Sequence, residues 1–260
     1  MLMIPKTIHY CWFGNNPKTE LAEKCIASWK KHLPDYELIE WNETNFDVNQ
    51  HPFTREAYQA KKYAFVTDYV RLYVLKEYGG IYMDTDVEVI KNLDCFLHHN
   101  AFSGFEDSTN IPTGIIGSMK NGVWVSQMQE YYNDRHFLMP DGSLDTTTNV
   151  QVMTNILTEQ GFVPNDTLQD IQGNVTFYPH DFFCPKDYRT DKIKLTKNSH
   201  TIHHFAKSWK DPETTAERFI RHHPLIDKLI VGTNRLLTKC FGEKWKTFSK
   251  RVRKKLKLPD

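Results

Sequence analysis

The chain has 260 residues, 40% of them hydrophobic and 25% charged, enough for one sizeable domain with an ordinary core, or for such a domain with a smaller appendage. No run approaches the roughly 18 apolar residues a bilayer span needs, the start lacks a basic region followed by an apolar stretch, and five scattered cysteines without a C-x-x-C pair indicate neither disulfides nor zinc, so the expectation is a cytoplasmic protein, peripheral to a membrane at most. The net charge of +1 hides nine Lys or Arg against two acids from Lys239 to Asp260, leaving 24 basic and 30 acidic groups before it, a balance that argues against nucleic-acid binding by the main body.

In chain order, "KTIHYCWFG" reads as a first strand and "NNP" as the loop after it. Leu21, Cys25, Ile26 and Trp29 then have helical spacing behind a candidate cap, Thr19, and "PDYELIEW" reads as a second strand, which suggests a parallel α/β start. From Thr54 to Tyr78 the spacing predicts one long helix stopped by Gly79-Gly80, and the strand "IYMDTDVEVI" follows at once. Further strands are expected at "NAFSGFE", "GIIGSMK" and "VTFYP", and a helix over Val150 to Gln160. Residues 133 to 148 are polar and rich in Gly, Pro, Asp and Thr, a loop over a site or a plain surface loop.

Two aspartates stand one residue apart in "GGIYMDTDVEV". In a continuous strand Asp84 and Asp86 would project to one side, and the repulsion between them would be offset by a divalent metal with hard oxygen ligands. The pattern is neither the phosphatase D-x-D-x-[TV], which needs Thr or Val where Glu88 stands, nor a calcium loop, which needs Gly where Val89 stands. Asp68 and Arg71 share a helix face, as a local ion pair or as a device that holds sugar hydroxyls and neutralises phosphate. Trp12 follows the first strand and reads either as a core ring or as a flat face for a base. In "TIHHFAKSW", His203 or His204 could serve as an imidazole ligand of the Mn²⁺ class, while Lys207 could hold phosphate as a point charge. Thr113, Gly114 and "DTTTN" at 145 to 149 could border the donor phosphate or the acceptor.

Taken together, "IPKTIHYCWFG", "SWKKHLPDYELIEWNE", "YAFVTDYVRLYVLKEYGGIYMDTDVEV" and "IHHFAKSW", spanning residues 4 to 209, resemble glycosyltransferase family 32. The resemblance implies a GT-A type, Rossmann-like α/β fold with a mixed central sheet, and a retaining enzyme that moves a hexose from a nucleotide sugar, with a UDP-sugar favoured, to a glycan or lipid-linked acceptor of a surface polysaccharide. It further implies that Trp12, Asp68, Arg71, Asp84, Lys207 and Trp209 bind the donor. Catalysis would involve Asp68, Arg71 and Asp86, and Mn²⁺ or Mg²⁺ would be held by Asp84, Asp86 and, in preference to His203, His204. A toxin-like protein glycosyltransferase and a non-catalytic nucleotide-sugar-binding protein are the competing readings.

The chain is expected to divide into a catalytic domain, residues 1–224, and an extension, 225–260. From Ile226 onward Leu229, Leu237, Phe241, Trp245 and Phe248 recur at helical steps while Lys and Arg fill the other face. Such a basic amphipathic helix either packs on the body or rests on an anionic membrane surface through residues 239–257.

Overall fold

Alternation along two short strands decides the layering. In β1 (Thr7–Cys11), Ile8 and Tyr10 enter one hydrophobic cluster and Cys11 the other. In β3 (Gly80–Met83), Ile81 and Met83 face the first cluster and Tyr82 the second. Side chains two apart share a face, so each strand feeds two cores and the sheet is covered on both sides. The structure, a computed structural model, describes residues 4–107, 111, 114–188 and 190–206.

One layer is α1 (Glu20–His32), whose buried residues Ala22, Cys25, Ile26 and Trp29 follow helical spacing. Thr19 caps it as expected, its hydroxyl accepting from the Ala22 amide at 3.2 Å, with acids in the first turn and bases in the last. β2 (Glu37–Trp41) pairs parallel to β1. The single helix expected from Thr54 to Tyr78 is two helices, α2 (Pro52–Gln59) and α3 (Tyr63–Tyr78). Lys61 takes a left-handed conformation at φ 57°, and the Lys61 and Lys62 amides fold back onto the carbonyls of Tyr58 and Ala57, closing α2. Because α3 is buried on most of its surface, apolar spacing alone did not reveal the break.

The expected strand "IYMDTDVEVI" also splits. β3 ends at Met83, the Val87 amide donates to the Asp84 carbonyl at 3.0 Å to close a turn, and β4 (Val87–Val89) enters a second sheet. The later elements are β5 (Ala101–Gly104), β6 (Ile115–Ser118), α4 (Val123–Glu130), α5 (Asn149–Glu159), β7 (Gln169–Ile171), β8 (Val175–Tyr178), α6 (His180–Phe183) and β9 (Thr201–His203). The large sheet runs β2-β1-β3-β6-β5-β8-β7, with β2, β1 and β3 mutually parallel, β6 antiparallel to both β3 and β5, and β8 parallel to β5. The α/β class with a mixed central sheet is therefore the one observed. The small sheet is β4 against β9, antiparallel.

The turn between α3 and β3 is locked from behind. The Trp41 indole N–H donates to His9 Nδ1 at 3.1 Å, so the imidazole Nε2 carries the proton and donates to the Gly79 carbonyl at 2.8 Å. Burial lowers the pKa of His9, in keeping with this neutral form.

The chain divides into two compact units, residues 1–187 with 193–209 and residues 188–192 with 210–260. Every element named above belongs to the first. The expected boundary at 224 and the helix from Ile226 onward lie outside the described residues. No helix among the described residues is long and apolar enough to cross a membrane.

Gly80 sits at φ 109°, and a Cβ there would lie 2.7 Å from the Thr7 carbonyl oxygen. A Gly80→Ala variant should therefore lose about 2–4 kcal/mol of unfolding free energy in a urea titration. Stability equal to the wild type would show that the turn relaxes without strain.

Candidate functional site

The chemistry gathers where β3 leaves the large sheet. Arg71 projects from the middle of α3, its side chain 6% exposed, and reaches two carboxylates: Nη2 lies 3.1 Å from Asp68 Oδ1 and 3.3 Å from Asp84 Oδ1. Its guanidinium also lies 4.7 Å from the centre of the Tyr82 ring, and the Tyr82 hydroxyl donates to Asp84 Oδ1 at 2.8 Å. The contacts of Arg71 and Tyr82 with Asp84 converge on Oδ1. The Asp84 amide donates to the Gly114 carbonyl at 2.8 Å, extending the β3–β6 ladder by one residue and fixing where the carboxylate starts.

The electrostatics follow from burial. Desolvation disfavours the Arg71 charge, but Asp84, Tyr82 and Asp68 outweigh it and keep the guanidinium firmly protonated. Burial raises the Asp68 carboxyl to about 6, against the pull of Arg71 and with a further push from Asp84. Tyr82 is pushed well up by burial and remains a hydroxyl donor.

Asp86 lies within the Asp84–Val87 turn. Its Oδ1 faces His203 Nε2 at 3.3 Å, and its Oδ2 accepts from the Ala206 amide at 2.7 Å. Asp84, Asp86 and His203 each offer a ligand atom, and these atoms lie within 4.8 Å of one another. Among the described residues this trio is the one grouping of three such side chains. Two hard carboxylates and one imidazole suit a divalent ion of the Mn²⁺ or Mg²⁺ kind. The residues present fit such an ion.

This geometry sets His203, and not the expected His204, beside Asp84 and Asp86. The Val87–His203 register of the small sheet extends to Asp86 opposite His204, and strand alternation would put Asp86, Glu88 and His204 on one face. Only Glu88 and His204 obey it, joined at 2.8 Å, with Lys24 on the same Glu88 oxygen at 2.9 Å. The turn at 84–86 swings the Asp86 carboxylate to the side of His203. The expectation that Asp84 and Asp86 share a face because they lie in one strand is corrected with it. They converge because both belong to one turn, Asp84 to Val87.

Trp12 follows β1, half-buried, its indole N–H donating to the Asn16 carbonyl at 2.7 Å with Lys18 5.9 Å from its ring centre, and it leaves part of its ring in the open. Lys207, Trp209 and Thr113 lie outside the described residues. The "DTTTN" run reaches the site through its last member: Asn149, 2% exposed, donates to the Asp68 carbonyl at 2.8 Å and accepts from the Tyr132 hydroxyl. Tyr82 was missed by sequence reasoning, although its place two residues before Asp84, at the end of an apolar strand, was a signal that both face one way.

Two outcomes follow. A Cβ on Gly114 would come within 2.9 Å of His203 Nδ1 and Cε1, so Gly114→Ala should displace the ring and weaken Mn²⁺ binding roughly tenfold in an EPR titration, with the fold retained. Undiminished Mn²⁺ affinity would remove His203 from the ligand set. In EDTA, burial pushes the Asp86 carboxyl up, but the charge and hydrogen bond of His203 and the Ala206 amide outweigh it and bring it to about 2, below the ordinary 3.8. The resulting stabilisation is fully present above that ordinary value and is lost as pH falls through about 2. The stability advantage of wild type over Asp86→Asn, measured by urea unfolding, should shrink between pH 4 and pH 2, and a constant difference would refute the pairing.

Residues 19–103 match the family described as a glycosyltransferase sugar-binding region containing a DXD motif. The chain is 31% identical over 132 residues to inositol phosphoceramide mannosyltransferase 3 of Schizosaccharomyces pombe, an alignment covering 48% of this chain and 36% of that protein. It is 29% identical over 185 residues to an uncharacterized glycosyltransferase, L373, of Acanthamoeba polyphaga mimivirus, covering 65% and 70%. The chain spans about a third of the length of the fungal relatives it matches. Among solved structures, the PaToxG glycosyltransferase superposes with a TM-score of 0.46 at 20% identity, over 61% of this chain and 70% of that one. With Asp84 and Asp86 as its D-x-D pair, the segment from residue 19 to residue 103 of this chain is similar to the glycosyltransferase sugar-binding region family.

Proposed function

We propose that the protein is a metal-dependent, retaining glycosyltransferase that moves a hexosyl group from a nucleotide sugar to a lipid-linked or glycan acceptor in surface polysaccharide synthesis. The observation that carries this reading is the buried Arg71, which joins Asp68 to Asp84 beside the Asp84, Asp86 and His203 trio.

Asp84, Asp86 and His203 would hold a divalent ion, which when bound supplies Lewis-acid neutralisation of charge on a diphosphate. Arg71 contributes fixed positive charge in a site shielded from water, where it requires no reorganisation during reaction. Its contact with Asp68 sets the orientation of a carboxylate suited to accept hydrogen bonds from sugar hydroxyls, and Asn149 fixes the backbone of the same residue. Trp12, at the end of β1, offers a ring face to a nucleobase. On this reading the acceptor hydroxyl attacks from the face the diphosphate leaves, and the diphosphate takes its proton.

UDP-hexose is the favoured donor. The names of the fungal relatives favour a second donor reading, mannosyl transfer, and with it an acceptor anchored in lipid. The body would work at the cytoplasmic face of a membrane.

The test is release of nucleoside diphosphate by the purified protein across a panel of UDP- and GDP-sugars, with Mn²⁺ or EDTA. One sugar nucleotide should be cleaved slowly without acceptor, only with metal, and Asp86→Asn should lower the rate ~100-fold or more. If none is cleaved and none raises the melting temperature, the transferase reading fails.

A further inference from the structure

The segment from His136 to Asp145 forms an apolar tongue that the glycosyl-transfer chemistry does not use. Leu138 and Leu144 pair as an isolated antiparallel bridge, and the Met139 and Gly142 amides close the tip onto the Ser143 and Met139 carbonyls at 2.8 and 2.9 Å. Its base is fastened to the body. Phe137 is fully buried, the two oxygens of Glu56 take the His136 ring at 2.7 Å and the Leu138 amide at 2.9 Å, and the Asp145 amide donates to the Phe137 carbonyl at 2.8 Å.

Beyond that base the apolar side chains face outward. Leu138 is 51% exposed, Met139 40% and Leu144 36%. A single exposed leucine is ordinary, but three on one hairpin whose foot is pinned by a buried phenylalanine form a presented surface. The polar groups nearby suit the boundary between water and lipid. The Arg135 guanidinium stacks 4.1 Å from the Tyr131 ring, an amphipathic pair of the kind found at headgroup depth, and the Asp141 carboxylate is engaged within its own turn by the Ser143 amide at 2.9 Å and hydroxyl at 2.6 Å.

From Leu144 the chain needs five residues to reach Asn149, which holds the Asp68 carbonyl. The apolar tip and the site are thus two ends of one short segment. The lipid-anchored acceptor proposed above, on which this inference rests, would bring the site to a bilayer, and a tip tethered five residues from Asn149 would arrive there with it. A second copy of the chain is a poorer occupant, because three side chains fall well short of the ~1,000 Å² that a specific protein interface needs. We infer that the 136–145 hairpin is a membrane-docking tongue, inserting Leu138, Met139 and Leu144 shallowly into a phospholipid bilayer and leaving Asp141 among the headgroups. This is distinct from the basic helix expected after Ile226, since the tongue works through apolar contact rather than charge.

The experiment is flotation of the full chain with phosphatidylcholine vesicles at physiological salt, where attraction of a basic segment to anionic lipid plays no part. Wild type should float, and the triple exchange Leu138→Ser, Met139→Ser, Leu144→Ser should lower the bound fraction roughly tenfold while release of nucleoside diphosphate and melting temperature stay unchanged. Wild type that stays in the soluble fraction, or a triple variant that floats equally well, overturns the proposal. Should the triple variant fold poorly, Leu138→Ser alone must lower flotation in the same direction, and no reduction overturns it. Because flotation requires no turnover, loss of the tongue proposal and loss of the transferase reading appear in separate measurements.

Discussion

A guanidinium buried between two carboxylates is the constraint from which the rest of this site follows. Arg71 has almost no access to water, and a charge in that position persists only if opposite charges and hydrogen-bond acceptors surround it. Asp68 lies one helical turn away on the same helix, so half of the compensation is local. The other half comes from Asp84, which belongs to a different element and must be brought to the helix by the fold. Removing either carboxylate would leave the arginine partly uncompensated, and removing the arginine would leave two acids facing each other. Electrostatic necessity thus couples α3 to the end of β3, where the D-x-D pair begins.

That coupling depends on the turn just before it. Gly79 and Gly80 both take positive φ, and His9, oriented by Trp41, holds the Gly79 carbonyl from below. The chain therefore leaves α3 and enters the middle of the sheet in a fixed direction, with Tyr82 and Asp84 on the side of Arg71. At Met83 the strand gives way to a second turn, which brings Asp86 beside His203. Asp84 thus stands just past the end of β3 and Asp86 just before the start of β4. The candidate metal ligands meet at the seam between the sheets, where the Gly114 carbonyl and the His204 and Ala206 amides hold the backbone of Asp84 and both ends of Asp86.

The same seam binds early and late parts of the chain together. Asp86 receives the His204 and Ala206 amides, and α1 holds β4 through Trp29 and Ser28. On the far side, the Asn149 side chain ties the start of α5 to the backbone of Asp68, and the tongue emerges just before it. On the proposed reading, a donor site at the strand ends and a lipid-facing hairpin in the adjoining loop would let one enzyme join a water-soluble sugar nucleotide to an acceptor held in a bilayer.

Much of this was legible in the amino-acid sequence. The α/β class, α1 with its Thr19 cap, the strands around "TIHYC" and "GIYM", and the pairing of Asp68 with Arg71 are local properties, written in periodicity, capping and spacing over a few residues. The break at Lys61 was hidden because Ala57 and Ala64 keep helical spacing across it and the interruption lies in backbone dihedrals. The choice of His203 over His204 was hidden for a different reason. Adjacent residues of an extended segment point opposite ways, and which way depends on a turn at Asp84 to Asp86 that the alternating pattern of "IYMDTDVEV" does not announce. Residue types and short-range spacing thus determined what chemistry was at hand. Contacts among residues far apart in the chain, from Arg71 to Asp84 and from Asp86 to His203, decided which of those groups meet, because only tertiary packing sets the direction of a buried side chain.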